Sequence, residues 1–352
     1  MKVRITPEIQ VSNFGEPYII AELGSNHNGD MELARRLIKA AKEAGADCVK
    51  FQSWSKETIF AREKYEKNFF LADDYRDRND FTLEEIVEKF SISEQELVEM
   101  KQYADELGIA CTSTPFSKRE TDFLVDVLET PFIKVASMDL NNYPFLDYLA
   151  RKGKPIVLST GLSTLAEIDK AIQTIEAAGN REIVILHCVS IYPPDDDQVH
   201  LNNIETLQGT YPYPVGFSDH TLGTSIPLAS VAKGACLLEK HFTLDKTLFG
   251  WDHKVSADPE ELAVIVRESK RIHKAMGSHR IASPEDATRK SEFRRSIVLT
   301  GALPAGHVLK EEDIDYKRPG TGIPPEYRDF IVGRTLKRDL PFDHILQKDD
   351  LV

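Results

Sequence analysis

Short apolar runs alternate with amphipathic stretches along most of this chain, and this alternation limits the fold more than any other feature. The apolar runs, predicted as strands, are residues 18–23, 47–52, 109–114, 132–137, 155–160, 183–188, 213–217 and 236–240. Helical stretches are predicted at residues 30–44, 93–107, 118–129, 142–152, 164–178, 223–233 and 259–276. All seven connections between the strands contain a helix-like stretch, and residues 259–276 supply an eighth. Eight such units favour an α/β fold of the (β/α)8 TIM-barrel type over an open doubly wound sheet. The dinucleotide-binding pattern Gly-x-Gly-x-x-Gly does not follow the first strand.

The regular alternation of apolar runs and helical stretches stops after Gly277, which predicts two domains. Residues 1–277 form the barrel, the polar residues 278–292 a linker, and residues 293–352 a small β-rich domain with short runs broken by Gly and Pro. We expect the small domain to pack on the barrel or on a second chain. Residues 53–92 are predicted to be an irregular polar insertion, and an insertion of that length is more often functional than neutral.

Charge and cysteine usage exclude several classes of function. The chain has 44 basic and 57 acidic residues, a net charge of −13, which argues against nucleic-acid or anionic-membrane binding. It has no membrane-length apolar run, and its first residues lack the apolar core of a signal peptide. The cysteines lie inside apolar runs without zinc or disulfide spacing, so we expect buried free thiols and a cytoplasmic protein: Cys48, Cys111, Cys188 and Cys236.

Polar side chains end the predicted strands, where a TIM barrel places its active site. They are Glu22, Lys50, Gln52, Thr112, Thr114, Lys134, Ser137, Ser159, Ser190, Tyr192, Ser218, His220, Glu239 and His241. His220 and His241 end neighbouring strands and suit a divalent metal, although a single such pair is more often structural. Lys50 and Lys134 lie among apolar neighbours, which is consistent with a structural ion pair or with a pocket for phosphate and carboxylate groups.

Two other functions are compatible with these residues. A lysine in a barrel strand also serves Schiff-base aldolases, so Lys134 could be a nucleophile in a metal-free reaction of pyruvate. A sugar-binding or scaffold protein could retain the fold without catalysis. The histidine pair argues against the first alternative, and the full set of polar strand ends argues against the second.

Motifs along nearly the whole chain resemble the sialic acid synthase family, also called the nonulosonic acid synthases. The barrel motifs are Ile20-Ala-Glu-Leu-Gly-Ser-Asn-His-Asn-Gly, Val49-Lys-Phe-Gln, Ser113-Thr-Pro-Phe-Ser, Ile133-Lys-Val-Ala-Ser, Leu158-Ser-Thr-Gly, Leu186-His-Cys-Val-Ser-Ile-Tyr-Pro, Gly216-Phe-Ser-Asp-His-Thr and Glu239-Lys-His-Phe-Thr. The stretch Lys317-Arg-Pro-Gly-Thr-Gly-Ile resembles that family's antifreeze-like (β-clip) domain. The resemblance implies condensation of phosphoenolpyruvate with an N-acetylated hexose aldehyde to a nine-carbon 2-keto acid, with release of phosphate.

The resemblance also implies roles for individual residues. His220 and His241 would bind a divalent metal, Mn²⁺ being usual and Mg²⁺ or Co²⁺ possible, with Glu239 beside it. The implied phosphoenolpyruvate contacts are Lys50, Thr114, Lys134, Ser137, Ser159, Ser190 and Ser218. The implied sugar contacts are Glu22, Gln52, Tyr192, Asp252 and, from a second copy of the chain in a domain-swapped homodimer, Arg318.

Two positions depart from the family pattern. Ser190 stands where sialic-acid-making members carry Asn, and Trp251 stands where Pro is usual. A sugar-contacting Asn is expected in residues 53–92, and Asn79 is the nearest candidate. The acceptor is therefore predicted as an N-acetylmannosamine-type aldose, its 6-phosphate, or a 6-deoxy diacetamido sugar that gives legionaminic or pseudaminic acid.

Overall fold

A computed structural model describes residues 1–68, 81–278 and 284–352, which form two compact units, Met1–Gly277 and Ser278–Val352. The first unit contains eight parallel strands, which confirms the predicted alternation. They are Tyr18–Gly24, Cys48–Ser53, Ala110–Pro115, Ile133–Val135, Ile156–Ser159, Ile183–Cys188, Val215–Asp219 and Leu237–His241, numbered below as barrel strands one to eight.

Parallel ladders join these strands in the order three, two, one, eight, seven, six, five and four. The first strand pairs with the eighth, as a closed barrel requires, with Glu22 opposite His241. Strands three and four meet where the ring closes, and there Thr112 Oγ1 donates to the carbonyl of Phe132 at 3.2 Å. All eight carboxyl ends therefore lie at one end of the barrel.

Helices cover the outside of the barrel and pack on the outward side chains of the strands. Their bounds are Met31–Ala44, Glu94–Leu107, Lys118–Asp122, Tyr143–Arg151, Leu165–Ala177, Asn203–Thr210, Ser225–Ala232 and Pro259–Met276. The first of them is capped at its start by Asp30, whose Oδ1 accepts from the N–H of Glu32 at 2.9 Å. It is capped at its end by Gly45, where φ is 89°. None of the helices in the described part of the chain is long and apolar enough to cross a membrane.

A short N-terminal hairpin fills the amino end of the barrel. Val3–Arg4 pairs with Gln10–Val11, and its side chains Val3, Ile5 and Val11 are buried against the first residues of the strands. Asn13 Oδ1 accepts from the N–H of Val215 at 2.7 Å and so holds this segment to the seventh strand. The hairpin closes the end opposite the polar strand ends.

Two predicted segments differ from the structure. The insertion 53–92 is not wholly irregular, because Lys56–Ile59, Arg62–Lys67 and Leu83–Phe90 are helical. The last of these begins at a capping box between Thr82 and Glu85 and buries Leu83, Ile86, Val87 and Phe90 on one face. The stretch predicted as one helix at 118–129 turns into a π-helix at Phe123–Val127. The connection between strands six and seven contains the helix Asn203–Thr210, as the helix-like character of every connection predicted.

The second unit has its own core and two antiparallel strands, Ser296–Leu299 and Ile314–Lys317. Helix Ala287–Phe293 precedes the first strand, and helix Arg328–Ile331 follows the second. The predicted linker 278–292 therefore includes most of a helix. Asp286 caps the start of this helix, since its Oδ1 accepts from the N–H of Arg289 at 2.6 Å.

Candidate active site

Lys50 connects the ends of the first three strands inside the barrel. Its Nζ lies 2.5 Å from Glu22 Oε2 and donates to Thr114 Oγ1 at 2.9 Å. Gln52 Nε2 donates to the other Glu22 oxygen, Oε1, at 3.0 Å. The side chains of Glu22, Lys50 and Thr114 are buried, so each charge depends on these partners rather than on water.

Lys134, on strand four, forms a second set of contacts inside the barrel. Its Nζ donates to Ser159 Oγ at 2.8 Å and lies 3.5 Å from Glu239 Oε1. Ser218 Oγ donates to the same Glu239 oxygen at 3.0 Å, and Lys50 Nζ lies 3.8 Å from Glu239 Oε2. Glu239 therefore stands between two buried ammonium groups that a phosphate and a carboxylate could bind.

The two carboxylates in this array have opposite pKa shifts. Burial raises the pKa of Glu22 to about 7, even though Lys50 favours its ionised form. Burial also opposes ionisation of Glu239, but Lys134, Lys50 and the Ser218 hydroxyl outweigh it and lower its pKa. A carboxyl group that holds a proton near neutral pH thus lies beside one that stays ionised, an arrangement that permits acid and base roles in one site.

His220 and His241 face each other across the ends of strands seven and eight, with ring centroids 5.4 Å apart. His220 Nδ1 donates to the carbonyl of Val189 at 2.8 Å, and the Cys188 thiol is hydrogen bonded to the same imidazole. The Tyr192 ring lies 4.0 Å from the His220 ring. Burial and the positive charges of His220 and Lys50 hold the pKa of His241 well below its usual value, so its ring is neutral.

The donors around the histidines fit a divalent metal. His241 Nδ1 is buried without a hydrogen-bond partner among the described residues, and Asp252 Oδ2 lies 3.7 Å from it. Imidazole nitrogens near a carboxylate are ligands that a divalent transition metal accepts once the rings have lost their extra protons. In the described ranges, no group of three or more His, Cys, Asp or Glu side chains has metal-binding geometry. A metal held by these two histidines would have its other positions open to water or substrate.

Ser137 and Ser190 meet over Gly161, beside the histidines. The N–H of Gly161 donates to Ser137 Oγ at 3.1 Å, and a Cβ at Gly161 would lie 2.7 Å from that oxygen and still closer to Ser190 Oγ. Ser137 Oγ also donates to Cys188 Sγ at 3.6 Å, and the thiol is hydrogen bonded to His220. Only glycine leaves room for both hydroxyl groups here.

Aromatic side chains lie beside the residues predicted to contact the sugar. Trp54 Nε1 donates to Gln52 Oε1 at 3.0 Å, and the Trp54 ring lies 5.5 Å from that of Trp251. The Trp251 ring also packs against Phe90 at 6.2 Å. Gln52 and Asp252 are thus next to an apolar cluster that belongs to the insertion and to the loop after strand eight.

The structure brings most of the predicted site residues into one connected array at the carboxyl end of the barrel. Arg318 belongs to the second unit, where its guanidinium stacks on Phe293 at 5.3 Å, and Asn79 falls outside the described residues. Sequence reasoning missed Gly161 and Cys188. Gly161 is two residues after Ser159, and Cys188 is two residues before Ser190. Their closeness to these predicted contacts in the quoted motifs was the signal from which they could have been predicted.

Comparison with known proteins identifies the family. The chain matches the NeuB family over residues 37–281 and the SAF domain over residues 294–352. It is 38% identical to the N,N'-diacetyllegionaminic acid synthase of Legionella pneumophila, over 92% of this chain and 91% of that protein. It is 35% identical to the human N-acetylneuraminate-9-phosphate synthase, over 90% and 88% of the two chains.

A solved structure gives the same result. The crystal structure of N-acetylneuraminic acid synthetase from Leptospira borgpetersenii, in complex with citrate, superposes with a TM-score of 0.72 at 32% identity, covering 82% of this chain and 94% of that one. The predicted barrel and the antifreeze-like domain are both confirmed. The chain with this array of lysines, carboxylates and histidines belongs to the NeuB family.

Proposed function

We propose that this chain condenses phosphoenolpyruvate with the open-chain aldehyde of an N-acetylated hexose, forming a nine-carbon 2-keto sugar acid and releasing phosphate. The observation that carries the proposal is the convergence of Lys50 and Lys134 on Glu239 beside the His220–His241 pair. The two ammonium groups and the hydroxyls of Thr114, Ser159 and Ser218 bind the phosphate and carboxylate oxygens.

The chemistry follows from this placement. With phosphoenolpyruvate held by the lysines, its C3 attacks the aldehyde carbon, and Glu22 donates a proton to the aldehyde oxygen as the new C–C bond forms. Water then adds to C2 while Glu239 accepts its proton, and the resulting tetrahedral carbon regains its carbonyl as phosphate leaves. A divalent ion such as Mn²⁺, Mg²⁺ or Co²⁺ on His220 and His241 would supply a Lewis acid for the aldehyde.

Two acceptors are candidates: an N-acetylmannosamine-type aldose and a 6-deoxy diacetamido hexose, which would give legionaminic or pseudaminic acid. The Trp54–Trp251 pair favours the second, because an aromatic wall suits a C6 methyl group better than a hydroxyl or a phosphate. The relation to a diacetyllegionaminic acid synthase points the same way.

We also propose a domain-swapped homodimer in which Arg318 of the partner subunit completes the sugar site. Exposed apolar side chains follow neighbouring strands at the mouth of the barrel: Leu162 is 76% exposed, Leu222 61% and Ile191 45%. Clustered apolar exposure of this kind is typical of a protein interface. Light scattering of the purified chain measures the assembly, and a monomer at every concentration would contradict it.

A phosphate-release screen tests the proposed reaction. The purified chain is incubated with phosphoenolpyruvate, Mn²⁺ and, separately, N-acetylmannosamine, its 6-phosphate and a 2,4-diacetamido-2,4,6-trideoxyhexose. We expect phosphate release only with an acceptor present, and fastest with the diacetamido sugar. Trp251→Ala should slow the diacetamido reaction more than the N-acetylmannosamine reaction.

Failure of the screen has distinct outcomes. Absence of phosphate release with every acceptor would favour a non-catalytic sugar-binding protein. Trapping of pyruvate on Lys134 by borohydride, in the presence of chelator, would favour the Schiff-base aldolase.

A further inference from the structure

A buried ion pair lies directly behind the two histidines. Asp219 and Lys240 are opposite each other in the ladder between strands seven and eight, one residue before His220 and one before His241. Lys240 Nζ lies 2.8 Å from Asp219 Oδ2, and the two side chains are only 2% and 1% exposed. Because side chains alternate along a strand, this pair faces the helices while the histidines face the site.

The ion pair also fixes the backbone that follows His220. Lys240 Nζ donates to the carbonyl of Thr221, and Asp219 Oδ1 accepts from the N–H of Thr221 at 2.9 Å. Strand eight is therefore tied to the residues on both sides of His220. On the site-facing side, the Ser218–Glu239 hydrogen bond at 3.0 Å joins the same two strands one position earlier.

Stability alone does not account for charges at this place. The preceding pair on the same face, Phe217 and Leu238, is apolar and buried in the barrel–helix core. A buried ion pair contributes little more to stability than apolar side chains of similar size, since desolvation offsets its attraction. Its distinctive property is a fixed geometry between two strand ends.

We propose that Asp219 and Lys240 are positioning residues that set the relative placement of His220 and His241 for divalent metal binding. This inference rests on the metal-binding role of the histidines in the proposed function. The pair touches neither substrate nor metal; it acts by holding the two strand ends in one register.

The test measures metal affinity without turnover. In the Asp219→Asn/Lys240→Met double variant, the amide can still accept from Thr221, but the charged link between the strands is gone. We expect the dissociation constant for Mn²⁺, measured by electron paramagnetic resonance of the free ion, to rise about 10-fold or more, as for other residues that orient metal ligands. The absorption bands of bound Co²⁺ should also shift, because they report ligand geometry. The thermal midpoint should remain close to that of the unmodified chain.

A matched control removes an ion pair elsewhere on the barrel. Lys233 and Glu205 pair at 2.8 Å on the helical surface, and Lys233→Met/Glu205→Gln should leave Mn²⁺ affinity and the Co²⁺ spectrum unchanged. If the double variant folds poorly, the single variant Asp219→Asn, which keeps an acceptor for Lys240 and Thr221, should still weaken Mn²⁺ binding measurably.

The outcomes separate this inference from the proposed function. A folded Asp219→Asn/Lys240→Met variant with unchanged Mn²⁺ affinity and Co²⁺ spectrum overturns the positioning role and leaves the proposed reaction standing. Failure of the unmodified chain to bind Mn²⁺ or Co²⁺ overturns the metal-binding role of the histidines and the positioning role with it.

Discussion

Lys134 Nζ lies 3.5 Å from Glu239 Oε1 with both side chains buried, so an ammonium and a carboxylate balance each other inside the barrel. Substrate oxygens would have to share that ammonium with the carboxylate. Glu239 is thus both the counter-ion of the pocket and the base of the proposed reaction, and these two roles can be separated by substitution.

Glu239→Gln should lower kcat by about 100-fold or more, the usual contribution of a general base. The dissociation constant for phosphoenolpyruvate should not rise, because removal of the carboxylate charge frees Lys50 and Lys134 for the anion. Phosphate release measures the first effect and isothermal titration calorimetry the second. A variant with unchanged kcat would show that another group accepts the proton.

His241→Ala should abolish turnover that depends on a divalent metal and leave the fold intact, since the ring lies at a strand end. His273→Ala, on the outer helix Pro259–Met276, is the control and should retain activity. Phosphate release is followed with and without Mn²⁺, and circular dichroism checks folding. Activity of the unmodified chain that survives exhaustive chelation would remove the need for a metal.

Gly161→Ala should raise KM for phosphoenolpyruvate about 10-fold, because the new Cβ would displace the hydroxyls of Ser137 and Ser190. Gly209→Ala is the control: it lies in helix Asn203–Thr210, and a Cβ there would meet no described atom within 4 Å. That change should leave KM unaffected and stabilise the helix slightly. Equal KM values for the two variants would place phosphoenolpyruvate away from Gly161.

His27 should make the fold sensitive to acid. Its ring is buried and Nδ1 accepts from the N–H of Gly29 at 3.1 Å, and burial lowers its pKa to about 4. The unfolded chain therefore binds a proton at higher pH than the folded one. The contribution of neutral His27 to the free energy of unfolding is therefore fully present above the pKa of the unfolded chain, near 6.5. It is lost, by about 3 kcal/mol in all, as the pH falls from 6.5 through 4.

The His27→Asn variant isolates this contribution, because the side-chain oxygen can still accept from Gly29 while the titrating ring is gone. Urea unfolding at several pH values gives the free energy of unfolding for both chains. The difference between them should narrow between pH 6.5 and 4. A constant difference across that window would contradict the prediction.

The barrel and its polar strand ends could be predicted because both depend on local patterns. Apolar runs of strand length alternate with helical periodicity, and residues such as Lys50 and Lys134 stand out inside those runs. The parallel connection of strands seven and eight then brings His220 and His241 together without further information.

The rest depends on contacts between distant residues. The N-terminal hairpin was missed because strands of two residues carry no periodic signal, and they are held by burial in the barrel. The helices Lys56–Ile59 and Arg62–Lys67 were missed because their composition is polar. Leu83–Phe90 was missed although its apolar residues have helical spacing. Cys188 was read only as a buried thiol, since its hydrogen bond to His220 joins separate strand ends.

The hairpin at the amino end of the barrel also limits the order in which parts of the barrel can fold. Its side chains are buried against residues of strands that are synthesised much later, including Val184 and Leu237, and the N–H of Tyr18 donates to the carbonyl of Cys236 at 3.0 Å. During synthesis the hairpin leaves the ribosome well before the eighth strand, so it finds its full set of partners only after that strand has emerged. The interior of the barrel is complete only once both ends of the ring have emerged.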